Sequence, residues 1–194
     1  MAPTCATASV RIVGGSVGVS PGWRRVLAAS LGSLRVIDVY VPNGQTVGSD
    51  KFAYKLRWFD ALREYVAAEL TRHSYLVVLG DFNIAPEDRD VHDPEQWRDQ
   101  VLCSQPERGR LKALLNLGLV DSFRLFDQPE KSFSWWDYRQ LAFPKNHGLR
   151  IDLVLLSAAL AARCASSRID RNARKGEKPS DHAPVLVELK GSDP

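Results

Sequence analysis

The sequence predicts an α/β sandwich, with strands of mixed direction and helices packed outside them. Three observations carry that prediction: a strand–turn–strand pattern over residues 25–41, an amphipathic stretch leading into the apolar YLVVLG, and a last third in which strand-like segments alternate with loops. RVLAAS (25–30) and LRVIDVYV (34–41) flank Leu31-Gly32-Ser33 and read as antiparallel strands joined by a short turn. Pro42-Asn43-Gly44 then breaks the chain. Ser49 or Asp50 can cap a helix running to about Leu70. Phe52, Leu56, Phe59, Leu62 or Arg63, Val66 and Leu70 recur every three or four residues there and share one face. YLVVLG (75–80) has the composition of a strand covered on both faces.

Pro86 and the charged stretch to Asp99 read as a loop, and Leu111, Leu114 and Leu115 place a second helix over roughly 107–117 that stops at Gly118. SFSWWDY (132–138), RIDLVLL (150–156), SSRIDRN (166–172) and PVLVELK (184–190) read as strands, with a short Ala-rich helix after the second. Residues 1–22 are rich in small residues without a sustained period and are expected to be a weakly ordered lead-in.

A chain of 194 residues bounds the answer at one sizeable domain. Its 44% hydrophobic and 25% charged residues are ordinary for a soluble globular protein. No apolar stretch approaches the roughly 20 residues of a membrane helix, and the longest candidate, residues 151–162, contains Asp152 and Ser157. The first twenty residues lack the basic start and unbroken apolar segment of a secretory signal. Three widely spaced cysteines without a CxxC pair argue against a disulfide framework and a thiolate metal site, and fit a reducing cytoplasm. A net charge of +3 permits an anionic partner without requiring one.

Several clusters could carry chemistry. Asp81 and Asn83, at i and i+2, would face the same way at the end of a buried extended strand. The carboxylate could move a proton or hold a hard cation, and the amide could hold an anionic oxygen; an Asx-turn is the plainer alternative. Asp181-His182 precedes a strand and, taken alone, reads as a turn acid followed by a surface His. Asp152 interrupts an apolar run and needs a partner, either a His or the neighbouring Arg150. Tyr40 ends a strand at the rim, or packs in the core. Trp135, Trp136 and Tyr138 are stacking surfaces or core aromatics. Arg168, Arg171, Arg174, Lys175 and Lys178 make a phosphate-positioning loop or a solvated face.

VYVPNGQ (39–45), KFAYKLRWFDAL (51–62), GDFNIAPEDRDV (80–91), GLVDSFR (118–124), FSWWDYR (133–139), GLRIDLVLLS (148–157) and KPSDHAPVLVEL (178–189) occur in that order. Together they resemble the bacterial exodeoxyribonuclease III family of the endonuclease/exonuclease/phosphatase superfamily over roughly residues 24–190. The resemblance implies a four-layer αββα sandwich, here partial, in a domain spanning residues 23–194. It implies Mg²⁺ or Mn²⁺ as cofactor and, as partner, double-stranded DNA with 3′ ends or abasic sites. It assigns Asp81 as the general base, or the group that exchanges protons with the leaving group. Asn83 would hold the scissile phosphate, His182 would stabilise charge on phosphorus with Asp152 orienting it, and Tyr40 would contact the phosphate or support the leaving group. The metal shell would draw on Asp81, Asn83, Asp181 and His182. DNA contacts are expected from Trp135, Arg139, Arg150, Arg174 and Lys178, with Trp135 matching the pocket for a flipped-out abasic sugar.

Family members begin with a strand bearing a WN-x-N-G-type motif and later carry a Gln-Glu pair. Neither is present here. The expectation is therefore a chain lacking the N-terminal part of the fold, including the family's principal metal carboxylate. Two functions follow: a metal-dependent 3′–5′ exonuclease and abasic-site endonuclease of base excision repair, monomeric and cytoplasmic, or an impaired chain that only binds DNA. A superfamily phosphatase for phosphoinositides or nucleotides is disfavoured by VPNGQ and FSWWDYR.

Overall fold

A computed structural model describes residues 25–190, so the lead-in expected at 1–22 lies outside the described residues. β1 (Val26–Leu31) and β2 (Leu34–Tyr40) form the predicted antiparallel hairpin. It turns at Gly32, whose φ of +59° suits a residue without a side chain. β2 pairs in parallel with β3 (Tyr75–Asp81), which demands a crossover, and α1 (Asp50–Leu70) supplies it. Ser49 is the cap, its hydroxyl accepting the Phe52 N–H at 3.1 Å. Phe52, Phe59, Leu62 and Val66 are buried as the periodicity requires, and Trp58 widens the stripe. Lys55 and Glu69 are buried on the same helix, which a count of apolar residues does not foresee. Arg35 on β2 neutralises Glu69 at 2.5 Å.

The main sheet has the order β1-β2-β3-β5-β4, with β5 (Asp152–Ser157) antiparallel to β3 and β4 (Leu119–Asp121) at the edge. β3 is central, as its composition requires. Leu76 and Val78 join the core beneath α1 and α2 (Gln105–Leu115), together with Ile37, Val39, Leu153 and Leu155. Val77 and Leu79 face the other way. There Val185, Val187 and Leu189 of β7 (Val185–Leu189) pack against them, β7 being hairpinned with β6 (Cys164–Ile169) into a second sheet. Each large side chain buried in these layers stabilises the fold by about 1.5–3 kcal/mol. The described residues thus make a helix layer and two sheet layers of the sandwich.

α2 starts at Gln105 because Ser104 and Glu107 form a capping box, an S-x-x-E signature readable in the sequence. Two single-turn helices follow, α3 (Ala142–Lys145) and α4 (Ala158–Ala161); the latter is the predicted Ala-rich helix and plugs Leu160 against Val77 and Leu156. The stretch 86–99 is a loop with one 3₁₀ turn at Asp88–Asp90.

The strand expected at 132–138 does not form. Ser134 and Trp135 bond to Leu149, the Trp136 N–H goes to the Asp181 carbonyl, and the Ser134 carbonyl takes the Ala183 N–H. With its bonds divided between two segments, the stretch makes isolated bridges instead of a ladder. That division ties the 181–183 segment to the end of β5.

Candidate active site

Register assembles the site. Tyr40 is the partner of Asp81 in the parallel β2–β3 pair, and Asp81 is the partner of Asp152 in the antiparallel β3–β5 pair. Register partners project to the same face. A phenol and two carboxylates from adjacent strands, about 5 Å apart, therefore stand in one row on the face of the sheet that β7 packs against. Tyr40 is 53% exposed, which settles its placement at the rim instead of in the core. Burial, reinforced by the charge of Asp152, pushes the Asp81 carboxyl up to about 6 against the opposing pull of the Asn83 N–H, His182 and Lys55.

Asp81 and Asn83 meet through a turn, not along an extended strand. Asn83 has φ +50°, and Asp81 accepts its backbone N–H at 2.8 Å and its Nδ2–H at 2.9 Å. The Asx-turn and the site cluster are one structure. The second Nδ2–H goes to the Val41 carbonyl at 2.9 Å, and Oδ1 accepts from Asn43 Nδ2 at 3.2 Å. Asn83 is 5% exposed with both amide N–H bonds in use, so in this arrangement it fixes Asp81.

Asp152 pairs with His182, not Arg150: Nδ1 lies 2.9 Å from Oδ2 and 3.1 Å from Oδ1. A carboxylate on Nδ1 holds the proton there and leaves Nε2 for chemistry. Burial opposes a charged His182, but the hydrogen bond and charge of Asp152, with Asp81 and Asp181 behind it, hold its pKa above the usual value. Asp181 accepts from the half-buried Trp135 Nε1 at 2.9 Å, which ties the predicted aromatic to the predicted acid.

The expected metal set of Asp81, Asn83, Asp181 and His182 is not assembled. No three His, Cys, Asp or Glu side chains among the described residues gather closely enough to hold an ion. Internal donors take the oxygens of Asp81 and one of Asp181, Asn43 takes the Asn83 oxygen, and Asp152 takes His182 Nδ1. Carboxylates suit Mg²⁺, which is usually held by one or two of them with water and substrate phosphate filling its octahedral shell.

Two of the expected DNA-contacting cations are structural. Arg150 is 0% exposed and pairs with Asp90 and Asp121, each at 2.7 Å, because burying an unpaired guanidinium would be heavily disfavoured. Arg174 is buried against the rings of Phe143, Tyr138 and Trp136 and donates to the Ser180 carbonyl. With Tyr138 Oη donating to the Pro179 carbonyl at 2.8 Å, it steadies the loop that carries Asp181 and His182. Arg139 is exposed and paired with Asp137, and Lys178 is exposed. Three residues near the site escaped the sequence reading: Asn43, Lys55 and Glu107. The capping box and the PNG turn were the signals that could have found Glu107 and Asn43; nothing in the pattern singled out Lys55.

The model of the Endonuclease/Exonuclease/phosphatase family matches residues 8–182, and so begins upstream of residue 24, where the resemblance was read to start. Exodeoxyribonuclease III of Haemophilus influenzae is 37% identical over 179 residues, covering 86% of this chain and 67% of that protein. A solved structure of the 3′ phosphatase NExo from Neisseria, bound to a product DNA hairpin, is 47% identical with a TM-score of 0.86, covering 89% of this chain and 67% of that one. An AP endonuclease from Archaeoglobus fulgidus is 35% identical with a TM-score of 0.80, covering 85% of this chain and 65% of its own. The chain spans about two thirds of the length of these relatives. With the fold and most of the sequence matched, the chain belongs to the Endonuclease/Exonuclease/phosphatase family, among the exodeoxyribonuclease III and AP endonuclease relatives.

Proposed function

We propose that this chain hydrolyses phosphate esters in double-stranded DNA, as a 3′–5′ exonuclease and abasic-site endonuclease of base excision repair. The observation that carries the reading is the Tyr40–Asp81–Asp152 row closed by His182 on Asp152. Ester hydrolysis needs a water made nucleophilic and neutralisation of charge on the phosphate oxygens. Asp81, with its carboxyl near 6, is ionised at neutral pH and still basic enough to take a proton from water. His182, whose protonated form the Asp152 carboxylate favours, can in that form donate through Nε2 to a developing oxyanion. The Tyr40 phenol, exposed in the same row, can donate to the phosphate or leaving oxygen.

Mg²⁺ or Mn²⁺ belongs to the proposal as the family's cofactor, with Asp81 and Asp181 as the carboxylates that would share in holding it. It would neutralise phosphate charge when bound. No step above is routed through it. The proposed partner is duplex DNA with 3′ ends or abasic sites, met as a monomer in the cytoplasm. The relative that is a 3′ phosphatase adds 3′-phosphate ends to the substrates worth testing.

A second reading, DNA binding without cleavage, is favoured by the incomplete metal set alone. Incubation of an abasic duplex and a 3′-phosphate duplex with the protein and Mg²⁺ separates the two. Turnover that His182→Gln abolishes supports the hydrolase. Salt-sensitive binding with no turnover of either duplex selects the second reading.

A further inference from the structure

Lys55 and Glu107 are each 0% exposed and pair with one another in the interior. A buried ion pair is weak evidence for stability, because a well-packed apolar pair often serves the fold as well. What this pair does is visible in its other bonds. The Lys55 ammonium has three N–H donors and spends them on three separate segments. One goes to the Asn43 carbonyl at 3.0 Å in the turn after β2, one to the Asn83 carbonyl at 2.7 Å in the turn after β3, and one to Glu107 on α2. Glu107 in turn accepts the N–H groups of Leu102 and Ser104, each at 3.1 Å. The Lys55 stem also fits against Gly44, where a Cβ would stand 3.0 Å from Cδ. The two turns meet above it through Asn43 Nδ2 and Asn83 Oδ1, and Asn83 then holds both oxygens of Asp81.

We propose that Lys55 is a positioning residue, anchored by Glu107, that fixes Asn43 and Asn83 and through them the orientation of Asp81. Lys55 has no exposed surface and reaches no substrate; it acts only through the carbonyls it holds. Asn83, at φ +50°, adopts the left-handed conformation that Asn tolerates better than most residues with a side chain, and a charged donor on its carbonyl keeps it there. The catalytic part of this inference rests on the proposed hydrolase, but the anchoring itself does not.

The test is Lys55→Met combined with Glu107→Gln, which removes the charge pair without leaving one ion buried alone. Hydrogen exchange by NMR follows the side-chain amides of Asn83 and Asn43 and the backbone amides of α1. The expected result is protection of the Asn83 side chain falling by about tenfold or more while α1 keeps its own, since only the local anchor is lost. On DNA, kcat falls on the order of tenfold or more with KM within about twofold, as for a misplaced catalytic group. Lys55→Arg keeps a cation opposite Glu107 but not the ammonium's three-way geometry, and decides the matter if the double variant does not fold. Parental protection at Asn83, or an equal loss along the whole of α1, overturns the proposal. If the parent protein turns over no DNA, the hydrolase reading fails while the exchange data still decide the role of Lys55.

Discussion

Asp81 and Asp152 illustrate how one carboxylate can serve a row at a cost in stability while its neighbour is stabilised by a partner. Asp81 moves from 3.8 to about 6 on folding, mainly through burial and then through Asp152. A carboxyl with a raised folded pKa contributes stability that is present below the unfolded value and lost as the pH rises through the folded one. The loss is about 3 kcal/mol, most of it between about pH 4 and pH 7. Asp81→Asn does not titrate. It is therefore expected to gain thermal stability over the parent as the pH rises from about 4 to about 8, measured without metal or DNA, while losing catalysis. A parent–variant difference that does not change with pH would remove the burial argument for Asp81. For Asp152→Asn the sign is the same at His182. The carboxylate raises that imidazole's pKa, so the stability it lends is present at low pH and lost as the pH rises through the folded value. The variant's His182 titration midpoint, followed by NMR, should fall, and kcat should drop on the order of a hundredfold or more with the ring's charge and tautomer unsupported.

At the scale of elements, the strands show how a single glycine lets the row exist. Gly80 lies between Leu79 and Asp81 with φ +129°, and a Cβ there would sit 2.1 Å from the Val39 carbonyl oxygen. β2 and β3 are parallel neighbours at that point, so neither backbone can yield without shifting Tyr40 or Asp81. Gly80→Ala is expected to destabilise by roughly 2–4 kcal/mol through strain and overlap, read as a lower denaturation midpoint in urea with an unchanged slope. The hairpin, α1, α2 and the apolar β3 were legible in the sequence because each is local: a turn, a cap or an apolar period. SFSWWDY was misread because strand-forming residues say nothing about whether one neighbour or two will take their backbone bonds. The site was legible as two clusters, Asp81/Asn83 and Asp181/His182. Their junction through Asp152 was an even choice between His182 and Arg150, since sequence distance does not reveal which lies across the sheet. Lys55 was invisible for a related reason: an apolar count skips the one cation that the stripe buries.

At the scale of the whole molecule, the same chemistry in Arg150, Arg174, Arg139 and Lys178 divides by depth. Motif membership marks all four alike, but only position in the finished fold says which cation is buried and which meets solvent. Arg150 lies between β5 and the 86–99 loop, joined to Asp90 and Asp121, with Arg124 also on Asp90. Removing it leaves two carboxylates with reduced compensation inside the protein, so Arg150→Met should destabilise by about 3–5 kcal/mol. On DNA it should leave the salt dependence of binding unchanged wherever the protein remains folded. Arg139 and Lys178 are exposed on the segments that flank Asp181 and His182. A phosphate neutralised by each contributes close to one to the slope of log K against log salt. The double variant Arg139→Ala with Lys178→Ala should therefore keep the parental melting temperature and lower that slope by about two. The two results together test the placement of charge across the molecule. An unchanged slope in the surface variant, or a reduced slope in folded Arg150→Met, would mean that DNA approaches by a different face from the one that carries the Tyr40–Asp81–Asp152 row.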